Sequence, residues 1–164
     1  MFLEVTESFD KITFFIETRQ PLINCKKTGI HSMAEIFSND WAQAYKEAWN
    51  ADKEITESLQ RAGFNSIVAF GLPDTDEPAF VMTIQSGMVA SVNRAAEDEI
   101  KWDIRATKDD WLSLIVKPPG LMKLGIAYTS RKLRFKKGDY ATMIRDPSLA
   151  AAFVKSFALM GKVL

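Results

Sequence analysis

The amino-acid sequence predicts an α+β fold from three patterns along the chain. An amphipathic helical pattern opens at Ser38, four short apolar or alternating segments then follow between turn residues, and a helix with few polar residues closes the chain. The turns between the four segments are short enough for β-hairpins. We therefore expect a mainly antiparallel sheet that begins as a four-stranded meander and is accompanied by helices.

The composition favours a single main domain without nucleic acid as a partner. The 164 residues are 47% hydrophobic, which is enough to bury a core, and 21 Lys and Arg balance 21 Asp and Glu. Cys25 is the single cysteine, so an internal disulfide is impossible. No apolar run approaches the roughly 18 residues that cross a bilayer, and Met1 to Asp10 lacks the basic segment of a signal peptide. These features predict a cytoplasmic protein without stable membrane insertion.

The first 32 residues differ from the rest of the chain in their pattern of apolar and polar residues. Ile12, Phe14 and Ile16 alternate with their neighbours, as in a strand or hairpin, until Pro21 interrupts the pattern. The polar stretch that follows suits a linker. We therefore expect residues 1–32 to be an N-terminal extension, weakly strand-like or disordered, ahead of a main domain at residues 33–164. We also hypothesise that Met33 is the natural start.

Helical patterns precede the predicted sheet. After Ser38, the residues Trp41, Tyr45 and Ala48 recur at the three-and-four spacing of one helix face. A second helical segment stops near Gly63, and glycine readily adopts the left-handed conformation that ends helices. Two consecutive helices are therefore expected before the first strand.

The predicted strands are short and alternate between apolar and polar residues. In the fourth, Trp102 and Ile104 alternate with charged residues, so we expect Asp103 and Arg105 on a solvated face of the sheet. A fifth strand, from Leu133 to Lys136, shows the same alternation. The first four segments are Ser66–Leu72, Ala79–Gln85, Met88–Asn93 and Glu99–Ala106.

Three further helices are predicted after the fourth strand. Thr107 opens a capping pattern ahead of an apolar helix. The segment from Leu121 to Ala127 carries a single charge and is expected to be a short, buried helix. Asp146 suits the N-cap of a terminal helix, and Leu149 to Leu164 is mostly apolar or alanine. That last helix must be covered or must itself cover something.

The order of these elements resembles the sterol carrier protein type 2 family from about residue 33 to the end of the chain. Three stretches carry the resemblance: Phe37 to Asn50 (FSNDWAQAYKEAWN), Thr107 to Ile115 (TKDDWLSLI) and Leu133 to Asp139 (LRFKKGD), the last followed by the apolar helix. The chain has Ser130 and Arg131 where that family often has a glycine before the basic strand. The resemblance therefore does not predict the conformation of the turn at this point.

The resemblance implies a five-stranded, mainly antiparallel sheet with helices covering one face and an apolar tunnel between them. Such a tunnel would bind fatty acyl, sterol-like or isoprenoid lipids, since burying a lipid chain yields roughly 0.8 kcal/mol per CH₂. The implied function is non-catalytic binding and transfer or presentation of apolar lipids. The expected wall consists of large apolar side chains: Phe80, Met82, Ile84, Trp102, Ile104, Trp111, Leu114, Ile115, Met122, Phe153, Phe157 and Met160.

The sequence offers no catalytic or metal-binding pattern. His31 and Cys25 lie in the predicted linker region and lack the partners that nucleophilic catalysis or a zinc site requires. Asp109 and Asp110 are explained by the helix N-terminus at which they stand. We therefore expect no catalytic residue, no cofactor and no metal ion.

Two other functions stay open. A buried Tyr128, Tyr140 or Asp103 with a shifted pKa could support an acyl or steroid transformation. Alternatively, the chain could be an accessory module whose apolar C-terminal helix docks on a lipid-metabolising enzyme or on a second copy, as a homodimer. The basic residues around the fifth strand are expected to form a solvated face, although they could also meet lipid headgroups.

Overall fold

Five strands and six helices form the described part of the chain. A computed structural model describes residues 35–96 and 98–164, so the expectations for residues 1–32 and for Met33 lie outside the described residues. The helices are α1 (Asn39–Ala51), α2 (Lys53–Arg61), α3 (Lys108–Val116), α4 (Leu121–Thr129), α5 (Tyr140–Arg145) and α6 (Pro147–Lys162). The strands are β1 (Ser66–Gly71), β2 (Phe80–Gln85), β3 (Met88–Asn93), β4 (Trp102–Arg105) and β5 (Arg134–Lys137).

The strands form one mixed sheet in the order β3-β2-β1-β4-β5. β1, β2 and β3 make an antiparallel meander, and β5 pairs antiparallel with β4. β4, however, pairs in parallel with β1, where Phe70 lies opposite Ile104. The five-stranded, mainly antiparallel α+β fold is confirmed, but the prediction that the meander includes the fourth strand is wrong.

The segment between β3 and β4 runs back across the sheet instead of turning into a hairpin. The Lys101 N–H donates a hydrogen bond to the Ile67 carbonyl oxygen at 3.0 Å. Ala96 and Ile100 pack on the small apolar cluster of β1 and β2 that contains Ile67. Because this crossing carries the chain to the other side of β1, the fourth strand starts only at Trp102 and runs in the same direction as β1.

Asp103 and Arg105 are buried on the face of the sheet opposite the helices, so the prediction of a solvated face is wrong for both. They are only 5% and 2% exposed. The Arg105 guanidinium donates to the Asp103 carboxylate at 2.9 Å and to the carbonyl oxygens of Leu72 and Glu77 at 3.1 and 3.0 Å. The loop between β1 and β2 is therefore fixed over this ion pair and shields it from water.

The helices cover the other face of the sheet, and α1 adds an aromatic stripe to the core. The Ser38 hydroxyl accepts a hydrogen bond from the Trp41 N–H at 3.2 Å and caps the helix. Trp41, Tyr45 and Trp49 recur every four residues and are buried. The rings of Trp41 and Tyr45 stack with centroids 5.3 Å apart. The predicted amphipathic helix is confirmed.

α6 turns its apolar residues into the domain, as its few polar residues predicted. The Asp146 carboxylate accepts hydrogen bonds from the Ser148 and Leu149 N–H groups, and Pro147 stands in the first turn. The helix packs against α1, α2, α3 and α5. Among the described residues no helix is both long and apolar enough to cross a membrane. The buried residues of α6 are Ala150, Ala152, Phe153, Ser156, Phe157, Leu159 and Met160.

α4 is helical as predicted but is buried on one side only. Leu124 and Ala127 face the core, whereas Met122 and Ile126 are 82% and 61% exposed. The expectation of a buried segment is therefore wrong for the outer face of this helix, because a nine-residue helix at the edge of the domain contacts it along one side.

A two-residue turn joins β2 to β3, and α2 packs directly on it. Ser86 and Gly87 have φ angles of 49° and 78°, the left-handed pair typical of a type I′ hairpin. A Cβ atom at Gly87 would lie 2.6 Å from the Thr56 carbonyl oxygen and 2.7 Å from the Gln60 nitrogen. Position 87 thus requires glycine both for its backbone conformation and for space.

Gly87→Ala is expected to destabilise the domain more than Gly63→Ala. Gly63 also has a positive φ, 62°, but a Cβ atom there would meet nothing within 4 Å. Gly63→Ala therefore adds only the left-handed penalty of roughly 1–2 kcal/mol. Gly87→Ala must also displace α2, and we expect a loss of about 3 kcal/mol or more. Urea unfolding measures both losses, and equal values would contradict the close approach of α2.

Candidate functional site

An apolar cavity of about 50 Å³ lies between the helical face of the sheet and the last two helices. β1, β2 and β4 form one wall, and α5 with the residues of α6 up to Ser156 forms the opposite one. Residues of α1, α2 and the loop before β1 complete the lining. The lining residues are Trp49, Leu59, Phe64, Val68, Phe70, Met82, Ile84, Trp102, Ile104, Met143, Leu149, Ala152, Phe153 and Ser156.

The walls of this cavity are apolar. The Ser156 hydroxyl donates a hydrogen bond to the Phe153 carbonyl oxygen at 2.7 Å, within α6. The Trp49 indole N–H donates to the Gly87 carbonyl oxygen at 3.0 Å. In the described part of the chain no Asp, Glu, Lys or Arg lines the cavity, so a buried charge would find no ionic partner there. The cavity therefore suits an uncharged apolar group.

The predicted wall residues divide into two groups. Met82, Ile84, Trp102, Ile104 and Phe153 line the cavity. The others do not: Phe80, Trp111, Ile115, Phe157 and Met160 are buried in the core, Leu114 is half-buried and Met122 is exposed. The apolar periodicity thus selected residues on the face of the sheet that borders the cavity, but it did not separate side chains that line the cavity from those that fill the core.

Several lining residues lie outside the predicted set, mainly on the helices. The sequence pattern could have predicted Trp49, because it follows Tyr45 by four residues on the apolar face of α1. Met143 belongs to α5, which was not predicted because its six residues are too few to show a helical period. Ala152 is small, and its position beside Phe153 gives no sequence signal for a cavity.

Two buried polar atoms on α1 have no hydrogen-bond partner among the described residues: the Trp41 indole nitrogen and the Tyr45 hydroxyl. Burial raises the pKa of Tyr45, and the nearby Ser156 hydroxyl offsets only part of this effect. Because the phenol is held in its neutral form, Tyr45 does not supply a general base.

Of the three residues considered for catalysis, Asp103 lies apart from the other two, Tyr128 and Tyr140. Asp103 is bound to Arg105 on the far side of the sheet. The ring of Tyr128 stacks on that of Tyr140 with centroids 4.7 Å apart. Burial raises the pKa of Tyr140, whose hydroxyl donates to the Leu121 carbonyl oxygen at 3.4 Å. None of the three lines the cavity.

An ion-pair cluster ties α6, one wall of the cavity, to the start of α2. The Lys155 ammonium lies 2.7 Å from the Asp52 carboxylate and also binds Glu54. Asp52 caps α2 by accepting a hydrogen bond from the Ile55 N–H at 3.2 Å. Burial opposes ionisation of Asp52, but Lys155 and the Ile55 N–H outweigh it and hold the pKa of Asp52 below its usual value.

Comparison with known proteins identifies the fold of this domain. No family model and no curated protein matches the sequence. Among solved structures, the crystal structure of sterol carrier protein 2 matches with a TM-score of 0.63 and 19% identity, over 79% of this chain and 100% of that one. The described domain has the sterol carrier protein 2 fold. The resemblance seen in the sequence is thereby confirmed at the level of the fold.

Two further structures share the sterol carrier protein 2 fold. A conserved hypothetical protein of Thermus thermophilus, described as possibly a sterol carrier protein, matches with a TM-score of 0.54 and 23% identity, over 79% of this chain and 90% of that one. The UbiJ-SCP2 ubiquinone synthesis protein matches with a TM-score of 0.50 and 10% identity, over 73% and 86%. The match therefore extends over most of each of these two structures.

Asp52→Asn is expected to destabilise the domain at neutral pH by about 1 kcal/mol or less, because asparagine keeps the cap of α2 but loses the ion pair with Lys155. The folded-state pKa of Asp52 is lowered, so this contribution is present above the ordinary pKa and is lost as the pH falls through the lowered value. Urea unfolding should therefore show a difference between the two proteins at neutral pH that is lost as the pH falls below the ordinary pKa of an aspartic acid and through the lowered one.

Asp74→Asn, in the exposed loop between β1 and β2, is the matched control and should have no comparable effect. A difference for Asp52→Asn that persists unchanged in acid would contradict the role of the ion pair.

Proposed function

We propose that residues 33–164 form a lipid-binding domain that carries or presents an apolar lipid without catalysis. The apolar cavity between the sheet and α6, within a sterol carrier protein 2 fold, is the observation that supports this function best. The proposed guests are fatty acyl, sterol-like or isoprenoid lipids. The proposed location is the cytoplasm, and the proposed mode of action needs no cofactor.

The cavity must enlarge to hold such a guest. Sites for small organic ligands usually occupy about 300–1,000 Å³, whereas this cavity measures about 50 Å³. The hydrogen-bonded strands make the sheet the more rigid wall of the cavity. The cavity would therefore enlarge by movement of the opposite, helical wall. Met143, Leu149 and Phe153 would move away from the sheet with α5 and the start of α6. Lipid uptake would thus be coupled to a displacement of these two helices.

The free energy of apolar burial is sufficient for this function. Roughly ten buried CH₂ groups contribute about 8 kcal/mol, which corresponds to a Kd near 1 μM before other costs are subtracted. Moving the helices and restricting the guest reduce that value. A longer chain or a fused-ring lipid would compensate, and a charged headgroup would stay at the mouth of the cavity because no charged side chain lines the described interior.

The comparisons support lipids as a class rather than one lipid. One structural neighbour is named a sterol carrier protein, another is described as possibly one, and the third is named for ubiquinone synthesis. We therefore keep sterol-like and isoprenoid guests beside fatty acyl chains. A lipid-metabolising enzyme that receives the guest is part of the proposal as a partner.

A docking module that uses the apolar face of α6 is less well supported. Phe157 and Met160 on that face are fully buried, and the ring of Phe157 stacks on that of Trp111 with centroids 6.1 Å apart. A partner enzyme or a second copy could reach these side chains only if α6 detached and exposed the core. A lipid carrier requires movement only of the N-terminal end of α6. The packing of this helix therefore favours a carrier over a docking module.

Ala152→Leu is expected to weaken lipid binding by about tenfold or more, because the three added carbon atoms occupy space that the guest needs. Binding is measured on delipidated protein as energy transfer from tryptophan to a pyrene-labelled fatty acid, followed by displacement with unlabelled lipid. Trp49 and Trp102 both line the cavity and are the expected donors.

Ala151→Leu is the matched control, since Ala151 is exposed on the same helix. Urea unfolding checks that both variants are folded. The proposal expects saturable binding by the wild-type protein, unchanged binding by Ala151→Leu and weakened binding by Ala152→Leu. It fails if the wild-type protein shows no saturable binding or if the two variants bind alike.

A further inference from the structure

The surface formed around α4 and β5 carries a local excess of positive charge. Between Trp111 and Gly138 the chain has seven of its 21 Lys and Arg residues and none of its 21 Asp and Glu residues. The chain as a whole is neutral, so the excess belongs to this region. Six of the basic residues, together with the exposed apolar residues of α4 and the end of α3, are termed here the basic–apolar surface: Lys117, Lys123, Arg131, Lys132, Arg134 and Lys137. The seventh, Lys136, instead donates a hydrogen bond to the Asp76 carbonyl oxygen in the loop between β1 and β2, at 3.0 Å.

Large apolar side chains of this surface are exposed to solvent. Met122 and Ile126 stand four residues apart on one face of α4 and are 82% and 61% exposed, and Val116 at the end of α3 is 61% exposed. Leu124 and Ala127, on the inner side of α4, are buried. The helix is therefore anchored by one face and presents apolar side chains on the other, as at sites that meet a partner or a membrane.

Cations of the basic–apolar surface are available to bind anions. Among the described residues Lys117, Lys123 and Arg131 form no ion pair, and Lys132 lies 4.0 Å from the Asp110 carboxylate. All four basic residues are exposed. Basic residues therefore precede and follow the exposed apolar residues along the chain, and most of them form no ion pair among the described residues.

Aromatic contacts connect this surface to the wall of the cavity. The ring of Tyr128 in α4 lies 5.9 Å from that of Phe135 in β5 and 4.7 Å from that of Tyr140, the first residue of α5. α5 also carries Met143, which lines the cavity. The basic–apolar surface thus adjoins one of the two helices that form the outer wall of the cavity.

We propose that the basic–apolar surface docks the domain reversibly on an anionic phospholipid bilayer. The apolar side chains of α4 enter the interfacial layer, and the surrounding Lys and Arg residues meet lipid phosphates. A nucleic acid would neutralise the cations but leave Met122 and Ile126 in water, whereas a bilayer without net charge lacks the negative surface potential that attracts the cations. Docking in this orientation holds α5 close to the membrane, so that a lipid could pass between bilayer and cavity with little exposure to water.

Flotation of the full chain with phospholipid vesicles tests this proposal. The wild-type protein should bind vesicles that contain phosphatidylglycerol with phosphatidylcholine, bind pure phosphatidylcholine vesicles much less, and be released by high salt. Ile126→Asp should abolish most of the binding. The double variant Lys117→Gln with Lys123→Gln should weaken it by about fivefold for each lysine removed.

Matched substitutions outside the surface are the controls. Met88→Asp places the same charge at an apolar residue of β3 that is 49% exposed, and Lys53→Gln removes an exposed cation of α2. Both should bind vesicles like the wild-type protein. Absence of vesicle binding by the wild-type protein, or equal binding by surface and control variants, overturns the proposal. Salt-dependent binding to DNA without binding to vesicles overturns it as well and assigns the surface to nucleic acid.

Binding of the pyrene-labelled lipid in solution, measured on the same variants, separates this proposal from the carrier function. Ile126 does not line the cavity, so Ile126→Asp should bind the free lipid like the wild-type protein while losing the vesicles. If Ile126→Asp instead loses vesicle binding, free-lipid binding and the folded state at once, the substitution causes a general structural defect. That result would contradict a separate membrane surface.

Discussion

The packing of α6 across the apolar face of the sheet determines which part of the interior is close-packed core and which part contains the cavity. In the first half of the helix, Leu149 and Phe153 face the cavity. One turn after Phe153, Phe157 is fully buried and stacks on Trp111 of α3. The same helix therefore forms a cavity wall from its N-terminal end as far as Ser156 and closes the core beyond it. The proposed function depends on this division.

The two halves of α6 are also held differently. Near the C-terminal end, Gly161 lets the helix approach α3 closely, since a Cβ atom there would lie 2.5 Å from the Ile115 carbonyl oxygen. In the middle, Lys155 binds Asp52 at the start of α2. The N-terminal end follows α5, a helix of six residues, and is capped by the Asp146 side chain. Displacement of the N-terminal half would leave the close approach at Gly161 and the ion pair of Lys155 in place, which gives a physical reason why the cavity would open at that end.

Local patterns in the sequence predicted the elements better than their arrangement. The start of α1 at Ser38 and the turn before β3 depend on neighbouring residues, and both were predicted. The parallel pairing of β4 with β1 was missed because it depends on the path of a polar segment that also suits a hairpin. Asp103 and Arg105 alternate with apolar residues as on a solvated strand, and only the covering loop makes them a buried pair. The conformation of the turn before the basic strand was not predicted. In the structure Arg131 adopts the left-handed conformation there, with φ 61°, where glycine is favoured.

Methyl NMR spectra of methionine-labelled protein, recorded during titration with a monomeric apolar lipid, test most directly whether the guest occupies the cavity. Met82 and Met143 line the cavity from opposite walls, whereas Met88 and Met122 are exposed outside it. The account predicts large, saturable shifts for Met82 and Met143 and none for Met88. Shifts confined to the exposed methionines, or unchanged Met82 and Met143 signals at saturating lipid, would contradict it.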